Sequence, residues 1–236
     1  IPIVPGSSKV LATLEEATAA ATRIGYPVML KAAAGGGGRG LRVVDSERDM
    51  ADGFARCRSE AQSAFGDGSV FIEKLIVRPR HVEVQILGDG QGNVVHLYER
   101  DCSVQNRNQK VIEIAPAPGL DHKLRQRIFR DALKIAKHTK YANAGTVEFL
   151  VSPERNEHYF IECNPRIQVE HTVTEVVTGV DLVEAQFQLA SGLTLKELGL
   201  GDQSKVPLHG FAVQARILAT GPGTITSYKE PTGPGV

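Results

Sequence analysis

Between Ile161 and Glu170 the sequence reads I-E-C-N-P-R-I-Q-V-E, with apolar residues or Pro alternating with Glu162, Asn164, Arg166, Gln168 and Glu170. In an extended chain, period-two alternation places those five polar groups on one side. A polar strand face is commonly only solvated. This one mixes two carboxylates, two amides and a guanidinium with no Lys, Ser or Thr. Glu148, flanked by Val147 and Phe149, occupies a neighbouring predicted strand. If the two strands pair, Glu148, Glu162 and Asn164 bring three oxygen ligands together. That suits Mg²⁺, a hard cation that takes few carboxylates and completes its shell with substrate phosphates. Two carboxylates facing each other across strands repel, and a metal removes the repulsion. A second alternating run, His81-Val82-Glu83-Val84-Gln85-Ile86, reads as an ordinary half-buried strand.

The run Gly35-Gly36-Gly37-Gly38-Arg39-Gly40 satisfies G-x-G-x-x-G in form. A dinucleotide site needs a helix directly after such glycines, and here the strand-like Leu41-Arg42-Val43-Val44 follows. Walker A is also excluded, because no Gly-Lys-Ser/Thr is present. What remains is a hairpin tip whose backbone N–H groups can close over phosphate oxygens. Lys31, at the end of the preceding strand Val28-Met29-Leu30-Lys31, is placed to neutralise phosphate charge. Consecutive glycines cost roughly 0.5–1 kcal/mol each against Ala in regular structure. Flexibility kept at that cost favours a phosphate flap over an idle surface loop.

The elements that must carry these groups are readable in outline. Helices are expected over 13–24, 46–65, 121–140 and 180–190, from Thr and acidic start signals and from apolar positions such as Leu124, Ile128, Leu133 and Ile135. Strands are expected over 28–31, 41–44, 70–76, 80–87, 94–105, 145–151, 158–164 and 210–217, the fourth and fifth joined by the turn Asp89-Gly90-Gln91-Gly92-Asn93. The class is α+β with prominent antiparallel hairpins. A small β-α-β lid with the glycine flap (34–40) is expected over residues 1–75, and a larger body over 76–236.

Composition narrows the partners. The 236 residues carry 27 basic and 27 acidic side chains, which leaves no electrostatic footprint for nucleic acid or an anionic membrane. No stretch approaches the roughly 20 apolar residues of a membrane span. Cys57, Cys102 and Cys163 form no C-x-x-C pair, so a reducing compartment is expected, with no disulfide framework or zinc site. The opening Ile1-Pro2-Ile3-Val4-Pro5-Gly6 and the closing Gly233-Pro234-Gly235-Val236 both read as cuts through a longer protein.

In order along the chain stand Lys31 with the glycines, Phe71-Ile72-Glu73-Lys74, Pro79-Arg80-His81-Val82-Glu83-Val84-Gln85, Glu99-Arg100-Asp101-Cys102-Ser103-Val104-Gln105, Gln109-Lys110-Val111-Ile112-Glu113, Gly145-Thr146-Val147-Glu148-Phe149 and Phe160-Ile161-Glu162-Cys163-Asn164-Pro165-Arg166-Ile167-Gln168-Val169-Glu170-His171. Together they resemble the biotin carboxylase domain of biotin-dependent carboxylases, members of the ATP-grasp superfamily, over essentially the whole chain. The resemblance implies an ATP-grasp fold and ATP-dependent carboxylation of biotin from bicarbonate, through carboxyphosphate. Lys31, Gly37 and Gly38 would contact ATP phosphates. Glu73, Lys74 and Ile76 would hold adenine, and His81, Gln105 and Asn108 would lie near ribose and phosphates. Glu148, Glu162 and Asn164 would hold Mg²⁺ or Mn²⁺. Lys110, Arg166, Gln168 and Val169 would cradle bicarbonate, Glu170 would be its general base, and Arg216 would face carboxyphosphate and biotin.

The implied partners are biotin carboxyl carrier and carboxyltransferase domains, the latter choosing the final acceptor. A homo-oligomeric parent in the cytoplasm or the mitochondrial matrix is implied as well. Three departures stand out: Asn108 where the family usually has His, a short stretch after Arg216 that lacks the family's acidic Pro-containing loop, and the missing N-terminal nucleotide-fold domain. Two alternatives stay open at this level. One is a different ATP-grasp carboxylate ligase, such as a carbamoyl-phosphate synthetase-like enzyme; the other is a catalytically inactive nucleotide-binding fragment.

Overall fold

A computed structural model describes residues 1–35, 40–219 and 221–236. Gly37 and Gly38, and with them the tip of the expected phosphate flap, lie outside the described residues.

The first helix, α1 (Leu14–Ile24), begins where Thr13 accepts a hydrogen bond from the Glu16 amide at 3.2 Å, while the Glu16 carboxylate accepts the Ala12 amide at 2.8 Å. These two reciprocal bonds satisfy donors that a helix start otherwise leaves unpaired. Strands β1 (Val28–Ala32) and β2 (Leu41–Val44) form the expected antiparallel hairpin. Helix α2 (Met50–Phe65) follows a 3-10 turn over Glu47–Asp49, which trims the helix expected from Ser46. It returns the chain to β3 (Val70–Lys74), giving a three-stranded sheet of order β2-β1-β3. Val28, Leu30, Phe54, Cys57 and Ile72 close its core against both helices.

The second sheet contains β4 (Arg80–Asp89), β5 (Val94–Asn106), β6 (Gln109–Ala115), β7 (Ala142–Ser152), β8 (Glu157–Asn164) and β9 (Ala212–Ala215), in the order β8-β7-β4-β5-β6-β9 with every neighbour antiparallel. Helix α3 (His122–His138), capped by Asp121, lays Leu124, Ile128 and Ala132 on Val82, Val84, Ile86 and Phe149. Leu87, Val95 and Leu97 pack instead beneath α5 (Leu182–Ala190) and Leu195. Strand β4 is therefore buried on both faces. Glu83 and Gln85 are fully buried, which corrects the half-buried expectation for this strand.

Two elements were not expected, namely β6 and α4 (His171–Thr178), which packs Val173 and Val177 on Ala115 and Ala212. Their presence also corrects the extended reading through Glu170. Strand β8 ends at Asn164, since Pro165 has no N–H to donate and the Arg166 amide turns back onto the Asn164 carbonyl at 2.9 Å. Residues 2–11 tie the two sheets together. The Pro2 carbonyl accepts the Phe160 amide of β8 at 2.8 Å, and the Pro5 carbonyl accepts the Lys74 amide of β3 at 2.7 Å.

Gly88 marks the tightest backbone approach inside β4, since a Cβ there would stand 2.1 Å from the Tyr141 carbonyl oxygen. Gly88→Ala is expected to cost about 1–3 kcal/mol. By contrast Gly221→Ala, where a Cβ meets nothing within 4 Å, should be near neutral. Equal melting temperatures for the two variants would contradict this packing account.

Candidate active site

Four carboxylates and three cations meet on the face of the large sheet that lies under α4. Lys110, near the start of β6, directs its ammonium to Glu83 Oε2 at 2.5 Å, Glu148 Oε1 at 2.9 Å and Glu170 Oε1 at 2.7 Å. Its three N–H bonds are thus all directed at carboxylates. Burial alone would lower its pKa, but the charges of Glu83, Glu148 and Glu170 push it well above the ordinary lysine value. The ammonium stays charged.

Arg100 of β5 lies beneath, with no exposed surface. Its Nε donates to Glu83 Oε1 at 2.6 Å, Nη1 to Gln85 Oε1 at 2.8 Å and Thr174 Oγ1 at 2.9 Å, and Nη2 to Gln168 Oε1 at 3.2 Å and Thr146 Oγ1 at 3.4 Å. One guanidinium therefore joins three strands, the 165–170 turn and α4. Gln168, so held, donates Nε2 to Glu148 Oε1 at 3.0 Å.

Glu170 is the N-cap of α4, where the helix dipole favours a negative charge. Its second oxygen accepts from Arg216 Nη2 at 2.8 Å, and Arg216 Nε reaches Glu113 Oε1 at 2.6 Å. Burial opposes ionisation of Glu170, yet the charge and hydrogen bond of Lys110 and the charge of Arg100 leave it below the usual carboxylate range. Burial likewise opposes ionisation of Glu148. There the hydrogen bond and charge of His81, the charge of Lys110 and the hydrogen bond from Gln168 win by a wide margin, and the carboxyl is held far below its usual range.

The other expected site residues divide into those the structure gathers and those it leaves apart. His81 Nε2 stands 2.6 Å from Glu148 Oε2, and Gln105 Nε2 stands 3.1 Å from His81 Nδ1. Asn164 donates Nδ2 to Glu148 Oε1 at 2.9 Å, and Glu162 is the cross-strand partner of Glu148. Lys31 pairs with Glu73 at 3.0 Å and lies 5.3 Å from the centre of the Phe71 ring. The Lys74 ammonium is occupied by the Gly25 and Tyr26 carbonyls at 2.8 and 3.0 Å, so its side chain closes the end of α1. Ile76 lies half-buried just past β3. Asn108 sits in the β5–β6 turn with a φ of 63°. Arg166 is exposed and turns its Nη1 onto the Ile167 carbonyl at 3.1 Å, and Val169 is exposed. Neither touches the Lys110 cluster through a hydrogen bond or ion pair among the described residues.

Sequence reasoning missed Glu83, Arg100 and Glu113 as members of this cluster. The available signal was a charge set among β-branched residues, V-E-V in β4, which is buried on both faces, and I-E-I in β6, where Glu113 is buried between two half-buried isoleucines.

The donor set fits a divalent cation. Glu148 and Glu162 face each other across β7 and β8, and Glu162 has no ion-pair partner among the described residues. Asn164, two residues on from Glu162, carries an amide whose Nδ2 is engaged with Glu148 and whose oxygen is the third donor of the expected set. Oxygen donors of this kind suit Mg²⁺ or Mn²⁺.

A small three-stranded sheet joined to a larger antiparallel sheet with a charged floor is the arrangement of the ATP-grasp fold. The chain belongs to the family described as "Carbamoyl-phosphate synthase L chain, ATP binding domain", which matches residues 1–198. Pyruvate carboxylase of Aspergillus terreus is 52% identical over 244 residues, covering 100% of this chain and 20% of that protein. Human mitochondrial pyruvate carboxylase is 52% identical over 233 residues, covering 99% of this chain and 19% of that one. Among solved structures, the biotin carboxylase–βγ-ATP complex of Campylobacter jejuni superimposes with a TM-score of 0.85 at 49% identity, over 92% of this chain and 47% of that one. The biotin carboxylase domain of Hydrogenobacter thermophilus 2-oxoglutarate carboxylase, solved with MgADP, ADP and bicarbonate, gives 0.84 at 46% identity over the same shares. The chain thus spans about a fifth of the curated relatives it matches.

The depressed Glu148 carboxyl makes a signed prediction. A carboxylate whose folded pKa is lowered contributes stability that is complete above its unfolded value of about 4.3 and is lost as pH falls through the folded one. Wild-type protein should therefore out-melt Glu148→Gln at neutral pH, and the gap should narrow as pH drops below about 4.3. Parallel melting curves across that range would count against this assignment.

Proposed function

We propose that this chain supplies most of the ATP and bicarbonate site of a biotin carboxylase within a larger biotin-dependent carboxylase. Residues 1–75 act as the lid and 76–236 as the body. The observation that carries the reading is the position of Glu170, a buried carboxylate clasped by Lys110 on one oxygen and Arg216 on the other. A base flanked by two cations suits an anionic substrate such as bicarbonate, because the cations that hold the base also attract and orient the substrate.

In this reading Lys110 and Gln168, with Arg166 and Val169 from the neighbouring turn, receive bicarbonate. Glu170 takes its proton, and the oxygen so exposed attacks the γ-phosphorus of ATP, giving carboxyphosphate and ADP. Glu170 is a weak base while both cations hold it. Bicarbonate that draws Lys110 away raises the basicity of Glu170 when it is needed. Lys31 and the Gly37–Gly38 backbone serve the phosphates. Glu73, Lys74 (through its backbone) and Ile76 serve the adenine, and His81, Gln105 and Asn108 the ribose and phosphates. Glu148, Glu162 and Asn164 would hold Mg²⁺ or Mn²⁺, which supplies charge neutralisation on the phosphates when bound. Breakdown of carboxyphosphate yields CO₂ and phosphate. The phosphate takes the ureido proton of biotin, whose nitrogen captures the CO₂ beside Arg216.

The partners in this reading are a biotin carrier domain and a carboxyltransferase in a homo-oligomeric enzyme, held in the cytoplasm or mitochondrial matrix. Among the described residues no helix is long and apolar enough to cross a membrane. Cys57 and Cys102 are buried free thiols, which suits a reducing compartment.

The test is bicarbonate-dependent ATP hydrolysis by the complete enzyme, with and without free biotin. Biotin should stimulate turnover, and Glu170→Gln should lower it by about 10²-fold or more, the scale of a lost general base. No biotin response together with full activity in Glu170→Gln would sink the proposal.

A further inference from the structure

Glu113 has no part in the steps just described, and yet its carboxylate is fully buried on β6 at the edge of the cluster. Its register partner is Gln214 of β9, two residues before Arg216, and the Arg216 amide donates to the Val111 carbonyl at 2.9 Å. The two backbones thus set Arg216 beside Glu113. Oε1 of Glu113 lies 2.6 Å from both Nε and Nη2 of Arg216, and Nη2 also reaches Glu170 at 2.8 Å. Oε2 of Glu113 is buried without a hydrogen-bond partner among the described residues. Burying a carboxylate with one oxygen unsatisfied is costly, and an apolar side chain would pack there at lower free energy. Simple packing therefore does not account for a glutamate at this position.

The geometry points to Glu113 as a positioning residue for Arg216. The guanidinium is planar, so two carboxylates on its Nε and Nη2 fix the orientation of the whole group. Nη1 makes no hydrogen bond among the described residues and is left to meet the substrate. Without Glu113 the guanidinium would swing about its one remaining contact and could fork both nitrogens onto Glu170. That would tighten the clasp on the base and withdraw Nη1. The inference rests on the reading of Arg216 as the group that meets carboxyphosphate and biotin.

The experiment uses the complete enzyme and compares Glu113→Gln, Arg216→Gln and the double variant in biotin-dependent turnover, with the KM for ATP and thermal melting measured alongside. Glu113→Gln should lower biotin-dependent kcat/KM by about tenfold or more while the KM for ATP stays within about twofold. The double variant should be no slower than Arg216→Gln alone, because effects that pass through one group do not multiply. Should Glu113→Gln melt below the assay temperature, the same cycle run with Glu113→Asp is decisive. That side chain keeps the charge and withdraws it by one methylene, so a smaller loss is expected, again absent in the Arg216→Gln background. Multiplying losses would overturn the positioning role and leave the functional reading intact, as would wild-type turnover in the Glu113 variant beside an impaired Arg216→Gln. Wild-type turnover in Arg216→Gln would overturn both.

Discussion

The floor of this molecule depends on one ammonium surrounded by three carboxylates. Lys110 holds Glu83, Glu148 and Glu170 within hydrogen-bond distance of a single nitrogen, although they come from β4, β7 and the turn before α4. Remove that charge and three anions face one another in a poorly solvated space, where repulsion is weakly screened. Arg100 adds a second layer underneath by joining Glu83 to Gln168 and Thr174. The turn carrying Gln168 and Glu170 is thus located by charge as much as by packing. Such networks do not on balance add much stability, but they fix geometry.

The antiparallel order β8-β7-β4-β5-β6-β9 makes this possible, because it puts the middle of four adjacent strands beside one another. Every carboxylate except Glu170 stands on a strand whose neighbours are hydrogen-bonded on at least one side. The site is therefore built on rigid elements, and the parts carried by turns, Glu170 and Arg216, are held by ion pairs at both of their ends. Helix α4 covers the cluster and receives Arg100 through Thr174, so the lid over the charges is polar where it touches them.

Much of the fold was legible in the sequence where period and caps agreed. Thr13 and Asp121 mark helix starts, and V-M-L-K and L-R-V-V form the strands of the glycine hairpin. The juxtaposition of Glu148 with Glu162 was expected on the condition that their two strands pair, and they do. The same alternation misled beyond Asn164, because a polar residue at every second position is also what a turn feeding a buried site requires. Strand β6 was hidden because Lys110, half-buried, and Glu113, fully buried, interrupt its apolar pattern, and both do so in charge pairs. The cluster residues Glu83 and Arg100 were illegible for a related reason. A pattern argument assigns charges to solvent, and only the presence of the partner across the sheet reveals otherwise.

The pairing of Lys31 with Glu73 bears on selectivity. An anion approaching this lysine meets a cation already neutralised by its own neighbour, so the gain from binding is the difference between two pairings rather than the whole of one. A singly charged anion exchanges one carboxylate for an equivalent and gains little. In the proposed reading a polyphosphate chain, with several charges spread along it, would displace Glu73 and keep further charge to spare. Under the proposed function the small sheet would thus behave as an ion exchanger with a threshold, passing over scattered monovalent anions and answering a dense line of negative charge.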